Sequence, residues 1–406
     1  MEYITVKEAA EKWGVTARRV QYLCSSGRIK GVVRFGKAWE IPASAVLPNA
    51  RAKSEPTLPM PRRSPFLDMT NLYSEAGRFE DAREMLVNNP EAYTLFAAQM
   101  AYRRGEIDKV YDHARYFLSS RSGFYAILGG GMLLALCAIW RGDVQLWNEA
   151  KRHICDAPCN DEHDREILSL TLAIIDSSIY DNKDYPEWFI SGNFEPLPPD
   201  AHPAAKVFYV KYLYMAAYGV ASKQLSLEGI EGLALMKIIP NTIEPCISQA
   251  VVDGTVIPEI FLRLSCAVAY YYTGKRDKAI DYIDRAVALA LPDELYGILA
   301  EYIRHFDGLL EERIALQDKG AVEAVKILYQ TYSIGWARLS GQIRNKYIAT
   351  NLTPREREIA KLTAFGFSVK TIAEMLYVSE STIKQTIQRV LGKTGLTDKK
   401  ELSYIL

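Results

Sequence analysis

Residues 352–396 read LTPREREIAKLTAFGFSVKTIAEMLYVSESTIKQTIQRVLGKTGL, and helix caps and apolar spacing divide this stretch into three helices. In the first helix Thr353 is placed as the N-cap and Pro354 as the first helical residue. Glu356 stands three residues after the cap, the spacing of a capping box, in which each side chain accepts a hydrogen bond from the other residue's backbone N–H. Gly366 is expected to end this helix.

The second and third helices of the stretch are predicted in the same way. The second runs from about Val369 to Leu376, and Ser379 is placed as the N-cap of a third helix that ends near Lys393. In the third helix, apolar side chains recur at helical spacing on one face. They are Ile383, Ile387, Val390 and Leu391. The opposite face carries Ser381, Lys384, Gln385, Gln388 and Arg389. Because Gln, Lys and Arg can meet base edges in the major groove, this pattern predicts a DNA-recognition helix.

The same stretch resembles the LuxR-type helix-turn-helix. The family landmarks Leu-Thr-x-Arg-Glu-x-Glu, Ile-Ala and Ser-x-x-Thr-Ile-Lys stand at residues 352–358, 372–373 and 379–384. The sequence departs from the family pattern at Thr371, Thr386 and Gly392, which bears on the bases that are read. The alternative is a surface helical hairpin without a role in DNA binding.

We expect the third helix to enter the major groove, with Ser381, Lys384, Gln385 and Gln388 at or near base edges. Three further side chains are expected near phosphates: Thr353, Arg355 and Lys370. One such helix reads only a few base pairs, and paired half-sites multiply the specificity, so we also expect a homodimer.

The N-terminal residues show a second helix-turn-helix pattern. Thr5 is placed as the cap of a helix that ends at Gly14, and Thr16 as the cap of the next helix. After Gly27 come two β-rich runs, residues 29–34 and 38–41, separated by Phe35-Gly36-Lys37. The pattern predicts a winged helix-turn-helix.

This end resembles the excisionase and MerR-type winged helix-turn-helix. The landmarks Thr-x-x-Glu-Ala-Ala, Gly-Val-Thr and Gly-x-Ala-Trp-x-Ile-Pro stand at residues 5–10, 14–16 and 36–42. The resemblance implies that four side chains approach the groove, namely Arg18, Arg19, Gln21 and Tyr22. It also implies that Arg34 and Lys37 lie on the wing near phosphates. Small helix-turn-helix domains also serve as protein-docking modules, and both interpretations stay open.

The fold class predicted from the whole chain is mainly α, with a helical-repeat core between two helix-turn-helix domains and a small β wing at the N-terminus. The predicted domains are the winged helix-turn-helix at 1–47, a proline-rich basic linker at 48–65, a helical-repeat domain at 66–348 and the LuxR-type domain at 350–406. Gly77, Gly105, Gly142 and Gly274 each stand with an acidic residue between two predicted helices, and the spacings between them are 28, 37 and 132 residues. A period in the thirties favours a tetratricopeptide-like repeat.

Charge is distributed unevenly along the 406 residues, although the formal net charge is zero. Residues 1–63 carry a net charge of +7 and residues 350–406 a net charge of +3, while the middle carries −10. Two basic ends around an acidic middle favour contact with a polyanion at the ends only.

The sequence argues against a secreted protein, a membrane protein and an enzyme. Six cysteines and an N-terminus without a secretory signal favour a reducing, cytoplasmic environment. Residues 122–140 are uncharged, but we expect a buried helix there and no membrane span. Neither a phosphate-binding Gly-rich loop nor a hydrolase motif occurs, so we expect no enzyme and no cofactor. An alternative is a zinc site, for which the candidate ligands are His153, Cys155, Cys159 and His163.

Aromatic residues in the middle are candidates for effector binding. Between Tyr180 and Pro203, a proline-rich loop carries Trp188, Phe189 and Phe194, which either line a groove or pin the loop by their own packing.

We interpret the chain as a DNA-binding transcription regulator with a small molecule, a peptide or a protein as effector on the repeats. The rival interpretation is an interaction scaffold whose terminal domains only position a complex.

Overall fold

The structure, a computed structural model, describes residues 3–13, 15, 17, 20, 21, 24, 29, 31–35, 38–45, 64–119, 122–181, 185–217, 232–343, 352–364, 367–394, 396, 399 and 402. The chain divides into two compact units, residues 1–60 and 61–406. Most described residues are helical, and the only sheet among them is small and lies near the N-terminus. The prediction of a mainly α fold is therefore confirmed.

In the smaller unit, helix α1 lies beside a three-stranded sheet. The elements are β1 (Tyr3–Thr5), α1 (Val6–Trp13), β2 (Val33–Phe35) and β3 (Ala38–Pro42). Strand β3 is central and pairs antiparallel with both neighbours. Thr5 and Glu8 cap α1 reciprocally: the Thr5 amide donates to Glu8 Oε2 at 2.8 Å, and the Glu8 amide donates to Thr5 Oγ1 at 3.3 Å.

The sheet of the smaller unit differs in part from the prediction. Strand β2 begins at Val33 rather than near residue 29, and β1 is a strand that the sequence did not predict. Only three residues long, β1 carries too little alternation to be recognised, and its pairing with β3 is a tertiary contact. Residues 17, 20, 21 and 24 are helical, and Val20 and Cys24 are buried with Ala9 and Ile41. Residues 36 and 37 of the predicted wing lie outside the described residues.

In the larger unit, most of the described residues lie in helices. Its first helices are α2 (Phe79–Glu84), α3 (Pro90–Arg104), α4 (Ile107–Ser119), α5 (Phe124–Arg141), α6 (Val144–Cys155), α7 (Glu162–Ser178) and α8 (Glu187–Ser191). They are followed by α9 (His202–Ala217), α10 (Gly232–Asp253), α11 (Val256–Tyr272), α12 (Arg276–Ala290), α13 (Tyr296–Ile303), α14 (Leu309–Gln317) and α15 (Lys319–Ile343). The last three are α16 (Pro354–Ala364), α17 (Val369–Met375) and α18 (Glu380–Thr394).

Helix α5 lies at the centre of this unit. It is the one helix of the described residues that is long and apolar enough to span a membrane, and 83% of it is buried against the rest of the unit. Neighbouring helices cover it on several sides: Leu95 of α3, Phe117 of α4 and Ile154 of α6 lie against its three consecutive glycines, residues 129–131. The uncharged run is thus a core helix, as predicted.

Helix α15 packs across helices that lie far before it in the chain. The Trp336 indole N–H of α15 donates to the carbonyl of Ser178 at 2.8 Å, and Gly335 lies directly against the Trp140 carbonyl of α5. In a stack of tetratricopeptide-like repeats each repeat contacts only its neighbours. Here α15 packs against α5 and the end of α7, which come much earlier in the chain. The repeat assignment stays a prediction.

Aromatic side chains pack together in the described part of the segment between Tyr180 and Pro203. Phe189, on the short helix α8, is fully buried, with ring centroids 5.4 Å from Tyr185 and 5.7 Å from Tyr212. Of the two alternatives left open by the sequence, the packing favours the pinned loop.

Candidate nucleic-acid interface

Helix α16 begins with the capping box that the sequence predicts. The Thr353 amide donates to Glu356 Oε2 at 2.9 Å, and the Glu356 amide donates to Thr353 Oγ1 at 3.2 Å. These two hydrogen bonds confirm the prediction. The sequence was sufficient to predict them because a capping box depends on two residues that are three positions apart.

Helices α17 and α18 are joined by a turn at Tyr377. Ser368 caps α17 by accepting from the Thr371 amide at 3.0 Å, and Ser379 caps α18 by accepting from the Thr382 amide at 3.2 Å. Tyr377 has a φ of +54° and is 96% exposed. Sequence reasoning missed Tyr377, since nothing in its neighbours marks it as the residue that turns the chain.

Helix α18 has the two faces that its sequence predicts. The buried side chains on one face are Ile383, Thr386, Ile387, Val390 and Leu391. The exposed side chains on the other are Ser381, Lys384, Gln385, Gln388 and Arg389. Thr386, which departs from the family pattern, is buried with its hydroxyl donating to the Thr382 carbonyl at 2.8 Å. We call the five exposed side chains the recognition row.

The side chains expected near phosphates are all exposed, but they differ in their contacts. Lys370 lines an open hollow of about 460 Å³ together with Tyr377, Ser379 and Glu380, so it lies beside the start of α18. Arg355 donates to Glu358 Oε2 at 2.7 Å and to the Leu376 carbonyl at 2.9 Å. Arg355 therefore braces α16 against the end of α17, a role that the sequence did not indicate.

Residues 350–406 match the model of the family GerE, bacterial regulatory proteins of the luxR family. We refer to these residues as the LuxR segment.

Two relatives are named as regulators. The uncharacterized transcriptional regulatory protein YxjL of Bacillus subtilis (strain 168) is 35% identical over 132 residues, which make up 32% of this chain and 52% of that protein. The probable transcriptional regulatory protein NarL of Mycobacterium tuberculosis (strain H37Rv) is 41% identical over 63 residues, or 15% of this chain and 29% of that protein. The chain thus spans about half the length of the first relative and less than a third of the second.

Glu356 connects the beginning and the end of the LuxR segment. Besides its part in the capping box, its carboxylate accepts from Lys393 Nζ at 2.7 Å and lies 3.9 Å from Arg389 Nη1. The hydrogen bond from Lys393, and then the one from the Thr353 amide, lower the pKa of Glu356. Through this long ion pair with Glu356, the side chain of Arg389, at one end of the recognition row, lies near α16.

Glu356→Gln should destabilise the LuxR segment at neutral pH by about 1.5 to 3 kcal/mol, because glutamine keeps the cap but removes the charge that Lys393 meets. The pKa of Glu356 is lower in the folded than in the unfolded chain. Its contribution is therefore present above the unfolded pKa and is lost as pH falls through the folded pKa. The gap in thermal midpoint between wild type and variant should shrink from neutral pH to about pH 3.

Glu323→Gln is the matched control, because Glu323 is exposed on α15. It should leave the thermal midpoint nearly unchanged at both pH values. A Glu356→Gln variant as stable as wild type at neutral pH would contradict the role of the carboxylate.

Helix α16 also docks the LuxR segment onto the helical middle. Lys361 is 1% exposed, and its Nζ donates to the Tyr272 hydroxyl of α11 at 2.9 Å and to the Arg304 carbonyl. Arg357 donates to the Tyr329 hydroxyl of α15 at 3.1 Å. Burial lowers the pKa of Lys361 and raises that of nearby Asp307. Sequence reasoning missed Lys361 because a lysine is seldom fully buried and its partners are distant in the chain.

The N-terminal candidates are described only in part. Gln21 is helical and exposed, and Arg34 lies in strand β2. Arg18, Arg19, Tyr22 and Lys37 lie outside the described residues. The role of this group in DNA binding stays a prediction.

The candidate zinc ligands are spread over the end of α6, the turn after it and the start of α7. Cys155 and Cys159 are both exposed. Within the described part of the chain, no three His, Cys, Asp or Glu side chains are grouped so as to hold a metal ion.

Proposed function

We propose that this chain is a DNA-binding transcription regulator in which helix α18 reads bases in the major groove. The observation that carries the proposal is the recognition row, an exposed strip of hydroxyl, amide and basic side chains on a helix whose opposite face is buried. Side chains of these types form the hydrogen bonds that distinguish base pairs in the major groove. The similarity to the luxR family, and to relatives named as regulators, supports the same function.

Contacts to the phosphates would orient the helix in the groove. Lys370 and Thr353 are exposed in the LuxR segment, and Lys370 lies beside the start of α18. A lysine in this position neutralises a phosphate without reading a base. Arg355 would stabilise the arrangement of α16 and α17, since its guanidinium donates to Glu358 and to the Leu376 carbonyl.

The smaller unit is proposed to make a second DNA contact, and the chain to act as a homodimer. A basic N-terminal region with an exposed Gln21 on its second helical stretch is consistent with a reader of DNA. Two readers on each of two chains would lengthen the recognised site and so raise its specificity. The protein is proposed to work in the cytoplasm and without a catalytic activity of its own.

Control by an effector is proposed to act through the helical middle. Lys361 and Arg357 connect the LuxR segment to α11, α15 and the residues after α13 by direct hydrogen bonds. A ligand or partner that favours one arrangement of the middle would therefore change the position of α18, provided that its affinities for the two arrangements differ.

Selection of bound fragments from a genomic DNA library tests the proposal. Three proteins are compared: the full chain, a chain without residues 1–60, and the full chain with Lys384→Ala and Gln388→Ala. We expect the full chain to enrich a composite site, and each altered protein to lose a different part of it. Affinity for that site should fall steeply with rising salt, as it does when several phosphates are neutralised.

Two outcomes would change the proposal. If the same site is enriched after loss of residues 1–60, the smaller unit is a docking module and α18 is the only reader. If the full chain enriches no sequence, the proposed function is wrong.

A further inference from the structure

A cavity of about 50 Å³ lies in the helical middle, between the ends of α7 and α13 and the helices α9, α11 and α15. A single water needs about 10 to 15 Å³ of such space, so the cavity has room for about three or four water-sized groups. That is the size of a very small organic molecule. Aromatic side chains form much of its wall, among them Tyr332 and Trp336.

The charged groups of the cavity are mostly cations. Lys211 of α9 and Arg304, just after α13, both line it, and the Arg304 guanidinium lies 4.2 Å from the centre of the Trp336 ring. Among the described residues of the wall the one carboxylate is Glu301, and its two oxygens accept from the Tyr102 hydroxyl at 2.9 Å and from Lys211 Nζ at 3.4 Å. Among the described lining residues, the formal positive charges therefore outnumber the negative ones.

His305 also lines the cavity and carries a buried polar atom. Its Nδ1 is buried and has no hydrogen-bond partner among the residues that the structure describes. Burial, and then the charges of Lys361, Arg304 and Lys211, lower the pKa of His305. The ring is thus neutral and surrounded by cations on three different parts of the fold. A buried polar atom without a partner is costly, and a ligand that supplies one relieves that cost.

The wall of the cavity is also the surface on which the LuxR segment docks. The side chain of Arg304 lines the cavity, whereas its backbone carbonyl accepts the hydrogen bond from Lys361 of α16. Two residues further on, Asp307 has a φ of +44°, a conformation that L residues rarely adopt. Residues 304–307, which we call the hinge segment, thus contact the cavity on one side and the DNA-binding segment on the other.

We propose that this cavity binds a small carboxylate anion as the effector of the chain, and that the hinge segment and Lys361 transmit its binding to the LuxR segment. The carboxylate would accept hydrogen bonds from the Arg304 guanidinium and from His305 Nδ1, which in this tautomer carries the single proton of the neutral ring, and its short apolar part would lie against Trp336. Charge-assisted hydrogen bonds of this kind favour a carboxylate over a neutral amide of the same shape. The inference rests on the proposed function, since an effector requires a DNA-binding output.

Binding is tested first on the full chain without DNA. Formate, acetate and pyruvate are titrated by calorimetry, and acetamide serves as the neutral isostere of acetate. At least one carboxylate should bind, and acetamide should bind at least tenfold more weakly than acetate. Arg304→Gln removes the charge but keeps the backbone carbonyl that Lys361 requires, and it should weaken carboxylate binding at least tenfold.

Arg285→Gln is the matched control, because Arg285 is exposed on α12 in an ion pair with Asp281, away from the cavity lining. It should leave binding unchanged. His305→Gln serves as a second cavity variant should Arg304→Gln fail to fold, and it should also weaken binding. If none of the three carboxylates binds, the cavity holds water only and the inference is wrong.

Transmission is tested on the selected DNA site. A carboxylate that binds the cavity should change the affinity of the wild type for that site at least threefold. Lys361→Met should still bind the carboxylate, though more weakly because one of the cations near His305 is lost, and DNA affinity at saturating carboxylate should no longer change. Carboxylate binding with no change in DNA affinity would overturn the effector role. Failure of the proposed function is distinguishable from failure of the effector role, because in that case no DNA site is enriched. The titration without DNA then still decides whether the cavity binds a carboxylate.

Discussion

Lys384→Ala is expected to weaken binding to the selected DNA site by about 1 to 3 kcal/mol, or about 5- to 150-fold, if Lys384 donates to a base edge. Lys384 is exposed on α18 in the recognition row, and its ion pair with Glu380 is long, at 4.0 Å. Exposed pairs of this type contribute little to stability, so the loss should appear in DNA binding and not in folding. Fluorescence anisotropy with the selected site and with single-base variants of it measures both affinity and specificity.

Two further variants separate base reading from general attraction. Lys109→Ala removes a lysine of α4 from a similar ion pair with Glu106, which precedes the helix, and should leave DNA affinity unchanged. Lys370→Ala should weaken binding to all sequences about equally and reduce the salt dependence by about one unit of slope, as expected for a phosphate contact. If Lys384→Ala binds the selected site as tightly as wild type, Lys384 does not read a base.

Gly335→Ala is expected to destabilise the larger unit strongly. A Cβ at Gly335 would lie 2.2 Å from the Trp140 carbonyl oxygen and 2.4 Å from that of Ile139. Both are backbone atoms of the central helix α5, so no side chain can rotate away, and α15 or α5 must shift as a whole. Overpacking of this kind costs about 1 to 3 kcal/mol and in some cases more. The thermal midpoint should fall by several degrees, which differential scanning calorimetry measures.

Gly392→Ala is the matched control, because it makes the same substitution in an exposed turn of α18. Among the described residues, no atom lies within 4 Å of the position that its Cβ would take. Alanine should stabilise the helix by about 0.5 to 1 kcal/mol, since glycine loses more conformational freedom on folding. A Gly335→Ala variant with an unchanged midpoint would show that α15 and α5 do not approach so closely.

Local signals in the sequence were sufficient wherever a structural feature depends on neighbours in the chain. Thr353, Glu356 and Ser379 cap the helices that they were predicted to cap, because each bond spans only three residues. The five side chains of the recognition row were found for the same reason: helical spacing alone separates them from the buried face of α18. The small strand β1 was missed because three residues are too few to show alternation.

Repeat spacing was a weaker guide to the middle of the chain. Glycines such as Gly105 and Gly142 do end helices in the left-handed conformation. The spacing of helix ends, however, does not determine which helices meet. Helix α15 packs on α5 because a glycine removes the Cβ at the crossing, and that fit depends on two segments that are remote in sequence.

By itself, then, the sequence determined the helical class, the caps and faces of the LuxR segment and the exposed side chains of the recognition row, because these follow from spacing over a few residues. Only the tertiary structure decided that Lys361 is buried against α11 and the Arg304 carbonyl, that Gly335 touches α5, and that Lys211, Arg304 and His305 surround one cavity. These features bring together residues from distant helices, and their chemistry depends on burial, which no local pattern specifies.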